Sequence, residues 1–337
     1  MALMLSLSED FIQRELSFAT VIDLVEQAFV ADAQGRAVTF PAIVEYVGSA
    51  NAHFGIKSGY LRLPPEPGGN PASADDQEIL GLKAGGYWMG NQERFGLPSH
   101  RATILLIDPL NGQPLAVMPA NTITRMRTAA AGALAARHLA RSDARVVSII
   151  GTGEQAHAQL EALRTTNTIS EVHVWGRRRD AVANYIATWR QSGVDVIPIE
   201  DLPGQLRRSD IVITTTPAIT PVIRDQWIRP GTHINAVGSD GAGKKELDPA
   251  LVHRAKVIAD KTHQSVVIGE LQMIAPRTDG RDLVYAELGE ICSGTKPGRQ
   301  TAEEITIFDS SGVSFQDLVV ANYLVKRAFR GAHASIE

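Results

Sequence analysis

The sequence predicts an α/β protein with a parallel sheet covered on both faces, and three observations carry that reading. Short runs rich in Val and Ile alternate with helical stretches between Ala144 and Asp260. One of those runs leads through Gly151-x-Gly153-x-x-Ala156 into a helix. The first region instead reads as strands separated by hairpin punctuation, with an amphipathic helix near the other end of the chain able to close back on it.

At 337 residues the chain is too long for one small core and suits two domains or one large α/β body. Hydrophobic residues make up 44 % and charged residues 21 %, ordinary proportions for a soluble globular protein. A net charge of −4 provides no broad attraction toward nucleic acid or anionic lipid. The single cysteine, Cys292, excludes an internal disulfide and a thiolate metal cluster and fits a reducing compartment, so no metal is expected. The opening "MALMLSLSEDF" has no basic n-region. No apolar run approaches the ~20 residues that span a bilayer. A cytoplasmic protein without membrane partners is the expectation.

In chain order, "FATVIDLVEQAFVADAQG" reads as a helix ended by Gly35. "AIVEYV", "HFGIKSGYLRL", "EILGLKAGGYW" and "RATILLID" read as strands, the last followed by the turn "DPLNG". Between two of them, "LPPEPGGNPASADD" reads as an exposed loop. "TRMRTAAAGALAARHLAR" predicts a long Ala-rich helix with Thr124 as N-cap. "ARVVSIIGTG", "EVHVWGR", "DVIPI", "DIVITTT", "THINAVGSD" and "KVIAD" predict strands of the parallel sheet. "ITIFDSSG" is a further strand, and "SFQDLVVANYLVKRAFRG" an amphipathic helix.

The glycine pattern has the context that makes it specific for a dinucleotide: a buried strand before it, a helix after it and a second strand ending about 25 residues beyond Gly151. Gly151 permits the tight turn, Gly153 lets a pyrophosphate approach the backbone, and Ala156 lets helix pack on strand. Free amides at the helix start meet the phosphate charge. After the second strand an NAD-type site places Asp or Glu, whereas this chain has Gly176 followed by Arg177, Arg178 and Arg179. Arginines there suit the 2′-phosphate of NADP, or simply cap a solvated helix start; NAD and NADP both stay open.

Arg125 and Arg127 fall in the first turn of the predicted Ala-rich helix, where cations oppose the helix dipole unless an anion is bound. Arg125 reads as a surface side chain and Arg127 as an anion ligand. Lys57 and Lys83 each interrupt an apolar strand, which either an edge-strand lysine or an anion pocket explains. Asp240 follows the strand "THINAVGSD" at the carboxyl end, where open α/β sheets bind ligands, and an Asx-turn accounts for it equally well.

"LGLKAGGYW", "GLPSHRATILLIDPLNG", "TRMRTAAAGALAARHLA", "IGTGEQAHAQL", "THINAVGSDGAGKKELDP" and "TIFDSSGVSFQDLVVA" together resemble the ornithine cyclodeaminase/μ-crystallin family over nearly the whole chain. The resemblance implies a Rossmann-type nucleotide-binding domain at 123–314, and a second α/β substrate-binding and dimerisation domain from 1–122 and 315–337. It implies that Lys83 and Arg127 hold a substrate carboxylate and that Asp240 is the acid/base beside a nicotinamide. It further implies cofactor contacts at Ser99, Arg127, Glu154, Gln155, Thr215, Thr216, Ala236, Val237, Gly238, Ser239, Lys244 and Ser310.

"FPAIVEYV" departs from the family's cyclodeaminases, which carry an arginine there. Lys57 stands in "FGIKS" where many members have Met. A lysine would repel the distal ammonium of ornithine and suits a distal carboxylate, with Arg101 as a further candidate for it. The combination looks more similar to the iminosuccinate-reductase branch. The expectation is an NAD(P)H-dependent imine reductase acting, as a homodimer, on a small α-imino acid. Ornithine cyclodeamination and a non-catalytic μ-crystallin-like NADPH- or ligand-binding protein are the alternatives.

Overall fold

The computed structural model describes residues 4–48, 52–65, 77–274 and 280–334. The chain divides into two compact units, one comprising 1–127 and 313–337, the other 128–312. Most of the loop expected at 63–76, from Glu66 onward, lies outside the described residues.

The first unit begins with β1 (Leu5–Ser6), α1 (Glu9–Glu15), α2 (Phe18–Ala33), β2 (Ala37–Thr39), β3 (Ile43–Val47), β4 (Ala52–Leu63) and β5 (Gln77–Trp88). It continues with α3 (Asn91–Phe95), β6 (His100–Ile107), β7 (Pro114–Pro119) and the start of α4 (Asn121–Leu139). Ser17 caps α2 by accepting the Thr20 amide at 3.2 Å, and Gly35 ends that segment at φ +70°. The sheet order is β1-β7-β6-β5-β4-β2, with β3 also on β4; β1 runs parallel to β7 and the other pairs are antiparallel.

Lys57 and Lys83 are direct cross-strand partners in the β4–β5 ladder. Alternation puts both on the face carrying the buried Leu61, Ile79, Ile104 and Leu106. That face is covered by α2 and by the C-terminal helix Ser314–Ala334, whose Phe315 ring meets Phe29 edge-on at 5.3 Å. Close approach explains Gly81: a Cβ there would lie 2.9 Å from Leu318 and 2.5 Å from the Leu105 carbonyl.

The second unit continues from α4 through β8 (Val146–Ile150), α5 (Glu154–Thr166), β9 (Glu171–Trp175), α6 (Arg179–Gln191) and β10 (Val196–Pro198). Then come α7 (Leu202–Leu206), β11 (Ile211–Thr214), β12 (His233–Ala236), α8 (Pro249–Arg254), β13 (Lys256–Ala259) and α9 (Thr262–Ile268). β14 (Val284–Glu287), α10 (Leu288–Cys292) and β15 (Thr306–Asp309) close it before the C-terminal helix, α11.

Its eight strands form a fully parallel sheet in the order β10-β9-β8-β11-β12-β15-β13-β14. Residues alternate between two cores. Val147, Ile149, Ile211 and Ile213 pack with Leu160 and Leu163 of α5, while Ile150, Val212, Ile234 and Ile307 pack with Leu251 and Val252 of α8. Burial on both faces is why these strands read as continuous apolar runs. The architecture is a Rossmann-type domain plus a second α/β unit.

One helix boundary differs from the expectation. Thr124 is inside α4, not its N-cap: its amide already bonds the Ala120 carbonyl at 2.8 Å. The Asn121 side chain ties the helix start to β6, accepting the Ala102 amide at 3.1 Å and donating to the His100 carbonyl at 3.0 Å. Arg125 and Arg127 therefore lie beyond the first turn, and the dipole argument does not reach them. Among the described residues no helix is long and apolar enough to cross a membrane.

Candidate active site

In the first unit, the cations form a cluster around an acid that the sequence reading did not pick out. Lys83 is buried; its Nζ donates to both oxygens of Asp317 at 2.9 and 2.8 Å and to Thr124 Oγ1 at 3.2 Å. Arg127 is also buried, its Nε donating to Asp317 Oδ1 at 3.1 Å and its Nη1 to Gln316 Oε1 at 2.9 Å. β5 and β4 are interior strands, so neither lysine lies on an edge strand.

One carboxylate thus serves two cations. Burial and the neighbouring Arg127 push Lys83 down to about 7, against the pull of Asp317, and Lys57 adds to the push. Burial works to raise Asp317, but Arg127 and Lys83 outweigh it and hold the carboxyl below its usual range. Lys83 and Arg127 with Asp317 leave one positive charge when Lys83 is protonated, in a site where an ionised ligand carboxylate would balance it.

Arg101 does not join them. It pairs with Gly86, which alternation puts on the face opposite Lys83, and it is exposed beside Trp88, Asn91, Phe95 and Leu97. Its assignment to the distal carboxylate is corrected on that ground. Ser99 lies in the turn between α3 and β6, where its carbonyl accepts the Trp88 amide at 2.8 Å.

In the second unit, the expected cofactor residues fall at the carboxyl ends of five consecutive strands, β9-β8-β11-β12-β15. Gly176 and Arg177 follow β9, Gly151 and Gly153 follow β8, and Thr215 and Thr216 follow β11. Val237 to Asp240 follow β12, and Ser310 follows β15. Residues as far apart in the chain as Gly151 and Ser310 become one edge of one sheet.

That edge fits a dinucleotide. Gly151 has φ +130°, and a Cβ would meet Thr215 Oγ1 at 2.3 Å, so only glycine fits. A Cβ at Gly153 would meet nothing within 4 Å, which leaves room for phosphate. α5 has no side-chain cap, so its first amides are available. Gln155 Oε1 and Ser310 Oγ are buried with no hydrogen-bond partner, as groups awaiting a ligand would be. Arg177, Arg178 and Arg179 are exposed, with no acid at the end of β9.

Asp240 is about half exposed on this edge, and Lys244 Nζ lies 2.6 Å from its Oδ1. Ser239 is buried and donates its hydroxyl to the Lys244 carbonyl at 2.9 Å, which fixes the Asp240 loop from within.

Beneath the edge stands a ladder of buried acids that the sequence did not announce. Asp309 accepts the Glu270 amide at 3.1 and 3.0 Å and also accepts the Ser265 hydroxyl. Glu270 accepts the amides of Glu246 at 2.7 Å and Leu247 at 3.1 Å. Burial raises all three carboxyls: Asp309 to about 7, Glu270 well above its usual range, and Glu246 in the same direction. In "KKELDP" nothing distinguishes Glu246 from a solvated charge. For Asp317 there was a signal: an acid set among apolar residues in the first turn of "SFQDLVVA".

Comparison with known proteins agrees with this fold. The profile of the "Ornithine cyclodeaminase/mu-crystallin family" matches residues 3–332. The iminosuccinate reductase of Paracoccus denitrificans, solved with NAD+, superposes with a TM-score of 0.84 at 34 % identity, covering 98 % of this chain and 97 % of that one. An archaeal alanine dehydrogenase dimer with bound NAD gives 0.88 at 34 % identity, with the same coverage of 98 % and 97 %. The Thermococcus litoralis Delta(1)-pyrroline-2-carboxylate reductase, solved with NADH and L-proline, gives 0.87 at 32 %, covering 98 % of each chain.

Two outcomes test the electrostatics. Asp317→Asn leaves two cations buried without their counter-charge and is expected to cost about 3–5 kcal/mol in a denaturant titration. A loss below about 0.5 kcal/mol would remove Asp317 as their counterion. Asp309 provides a pH signature: unfolded, it is ionised above roughly pH 4, whereas folded it keeps its proton up to about 7. The folded state binds more protons in that window, so Asp309 makes stability fall as pH rises, by up to about 1.4 kcal/mol per pH unit. Unfolding free energies of Asp309→Asn measured across this window should show a shallower fall than wild type; an equal slope would count against the assignment.

Proposed function

The chain belongs to the ornithine cyclodeaminase/mu-crystallin family, and from that premise we propose an NAD(P)-dependent oxidoreductase that reduces the C=N bond of a small α-imino acid. The observation that carries the substrate class is the cation cluster with its single shared acid. A substrate carboxylate supplies the missing negative charge by displacing Thr124 from the Lys83 ammonium, whose three donors are otherwise taken, and by meeting the remaining N–H donors of Arg127. Lys57, directly across the ladder from Lys83, takes a second carboxylate. Iminosuccinate, reduced to aspartate, is therefore the first candidate.

A bound reduced nicotinamide supplies hydride to the imine carbon. Glycines 151 and 153, the first amides of α5, Gln155, Thr215, Thr216 and Ser310 hold the dinucleotide. Asp240, half exposed to water, takes a proton from solvent and relays it to the imine nitrogen, so that hydride and proton together convert C=N to CH–NH. Its pairing with Lys244 keeps the carboxylate oriented before substrate arrives. Lys83, near 7, gains full charge on the acid side of neutrality, and an arriving carboxylate stabilises that charged form.

We assign the first unit as the substrate-binding and dimerisation domain and the second as the nucleotide-binding domain. A homodimer is supported by the exposed apolar side chains of β3, where Ile43 is 51 % and Val44 54 % exposed. The arginines after β9 accept either coenzyme in this proposal.

The test is a panel of imino acids, formed from glyoxylate, pyruvate or oxaloacetate with an amine, followed at the nicotinamide absorbance with NADH and with NADPH. Net cofactor oxidation supports the reductase, and Asp240→Asn should lower kcat by about a hundredfold or more. Proline and ammonia from ornithine without net cofactor change would replace it with the cyclodeaminase. Tight NADPH binding with no turnover and no effect of Asp240→Asn would replace it with a binding protein. Lys57→Met is expected to cost about tenfold more in kcat/KM on dicarboxylic than on monocarboxylic imines; equal losses would remove the distal-carboxylate role.

A further inference from the structure

We infer that Glu246 is a positioning residue for this reaction, whose buried carboxylate fixes the loop after β11 to the loop that carries Asp240. The inference rests on the proposed oxidoreductase reading and adds to it a residue outside the substrate and cofactor contacts.

Glu246 is fully buried and both its oxygens are engaged twice. Oε1 accepts the Thr216 amide at 2.6 Å and the Thr216 hydroxyl at 2.7 Å. Oε2 accepts the Thr214 hydroxyl at 2.6 Å and the Gly238 amide at 2.8 Å. The two amides belong to different strand-end loops, one next to Thr215 and the other two residues before Asp240. A carboxylate can accept all four bonds because it carries about four lone-pair sites and no proton. A carboxamide at the same place would turn one acceptor into a donor facing two donors.

The loops it joins are in backbone contact. A Cβ at Gly238 would lie 2.2 Å from the Thr216 carbonyl and 2.6 Å from both the Thr216 amide and Glu246 Cδ. The last backbone bond between them runs from the Val237 amide to the Thr214 carbonyl at 2.9 Å, and beyond it the Glu246 carboxylate ties Thr216 to Gly238.

Glu246 is itself held. The Glu270 side chain accepts the amides of Glu246 and Leu247, and the Asp309 side chain accepts the Glu270 amide. Each acid grips the backbone of the next, from β15, where Ser310 follows Asp309, to the ends of β12 and β11. The ladder links three of the five strand ends assigned to the dinucleotide, and Glu246 is its last rung.

A buried carboxylate with this many donors is also a sound structural device, so the test needs readouts that simple destabilisation does not move. Glu246→Gln is compared with wild type by amide hydrogen exchange without cofactor, by NADH binding through the fluorescence of the nicotinamide, and by steady-state kinetics. Lost protection confined to Thr216, Gly238 and the residues up to Asp240 is expected, with the amides inside β11 and β12 unchanged. The Kd for NADH should rise about tenfold. The kcat should fall about a hundredfold, with KM for the imino acid within about threefold.

Thr214→Val, which removes one of the four donors and keeps the charge, should shift the same readouts in the same direction by less. It also decides the matter if Glu246→Gln does not fold. Lost protection with wild-type Kd and kcat overturns the positioning role, and so does unchanged protection. A wild-type protein that binds NADH and reduces no imino acid sinks the proposed activity, while exchange and binding still decide Glu246.

Discussion

The Asp317 carboxylate is the interaction on which the first unit's chemistry depends. It reaches Lys83 on β5 and Arg127 on α4 from the first turn of α11, joining three elements far apart in the chain. Two lysines directly opposite each other in an antiparallel ladder are an unfavourable arrangement by themselves. A buried Lys83 beside a buried Arg127 is more so. Removing the acid would leave both buried cations without their shared counter-charge, which is among the most costly changes a core can undergo. Retaining it still leaves the charges unequal, and in the proposed function that inequality is what draws an anion.

The second unit solves a related problem with the opposite sign. Glu246, Glu270 and Asp309 are acids buried near one sheet edge, and backbone amides and hydroxyls satisfy them. Among their described hydrogen bonds none comes from Lys or Arg. Amide dipoles keep fixed directions, so acids held this way define loop geometry more than local charge. That suits an edge where a polyanionic cofactor is to bind, because lysines balancing these acids would compete for its phosphates.

Much of this was legible in the sequence. Apolar strands alternating with helices announced a sheet buried on both faces, and the glycine pattern between β8 and α5 announced the anion-binding turn. Asp240 stands out in the sequence because a charged residue at a glycine-rich break after an apolar strand is conspicuous. Lys57 and Lys83 stood out for the same reason. What stayed hidden were partners, since a side chain's counterion is set by tertiary contact. Asp317 lies 234 positions after Lys83, and Glu246 looks like its solvated neighbours. Arg101 was offered for the distal carboxylate by its charge, but charge does not decide which sheet face a residue takes; a single-residue change of position inverts it. The start of α4 was misread because Thr124 is a good cap by type, while Asn121 fastens to β6 three residues earlier.

The two clusters also differ in how they answer to protons. Lys83 sits near 7 because burial and its cationic neighbours oppose its charge. A second negative group arriving there favours the protonated lysine, so ligand binding and proton uptake reinforce each other. Glu246 has no such freedom: taking up a proton would place a fifth hydrogen among four donors, and burial, which favours that proton, is opposed at every lone pair. The Lys83 cluster is thus electrostatically responsive and the Glu246 cluster geometrically fixed. A redox reaction on a small charged molecule benefits from that division, since hydride transfer depends on held distances, whereas recognition of a carboxylate depends on a charge left without its match.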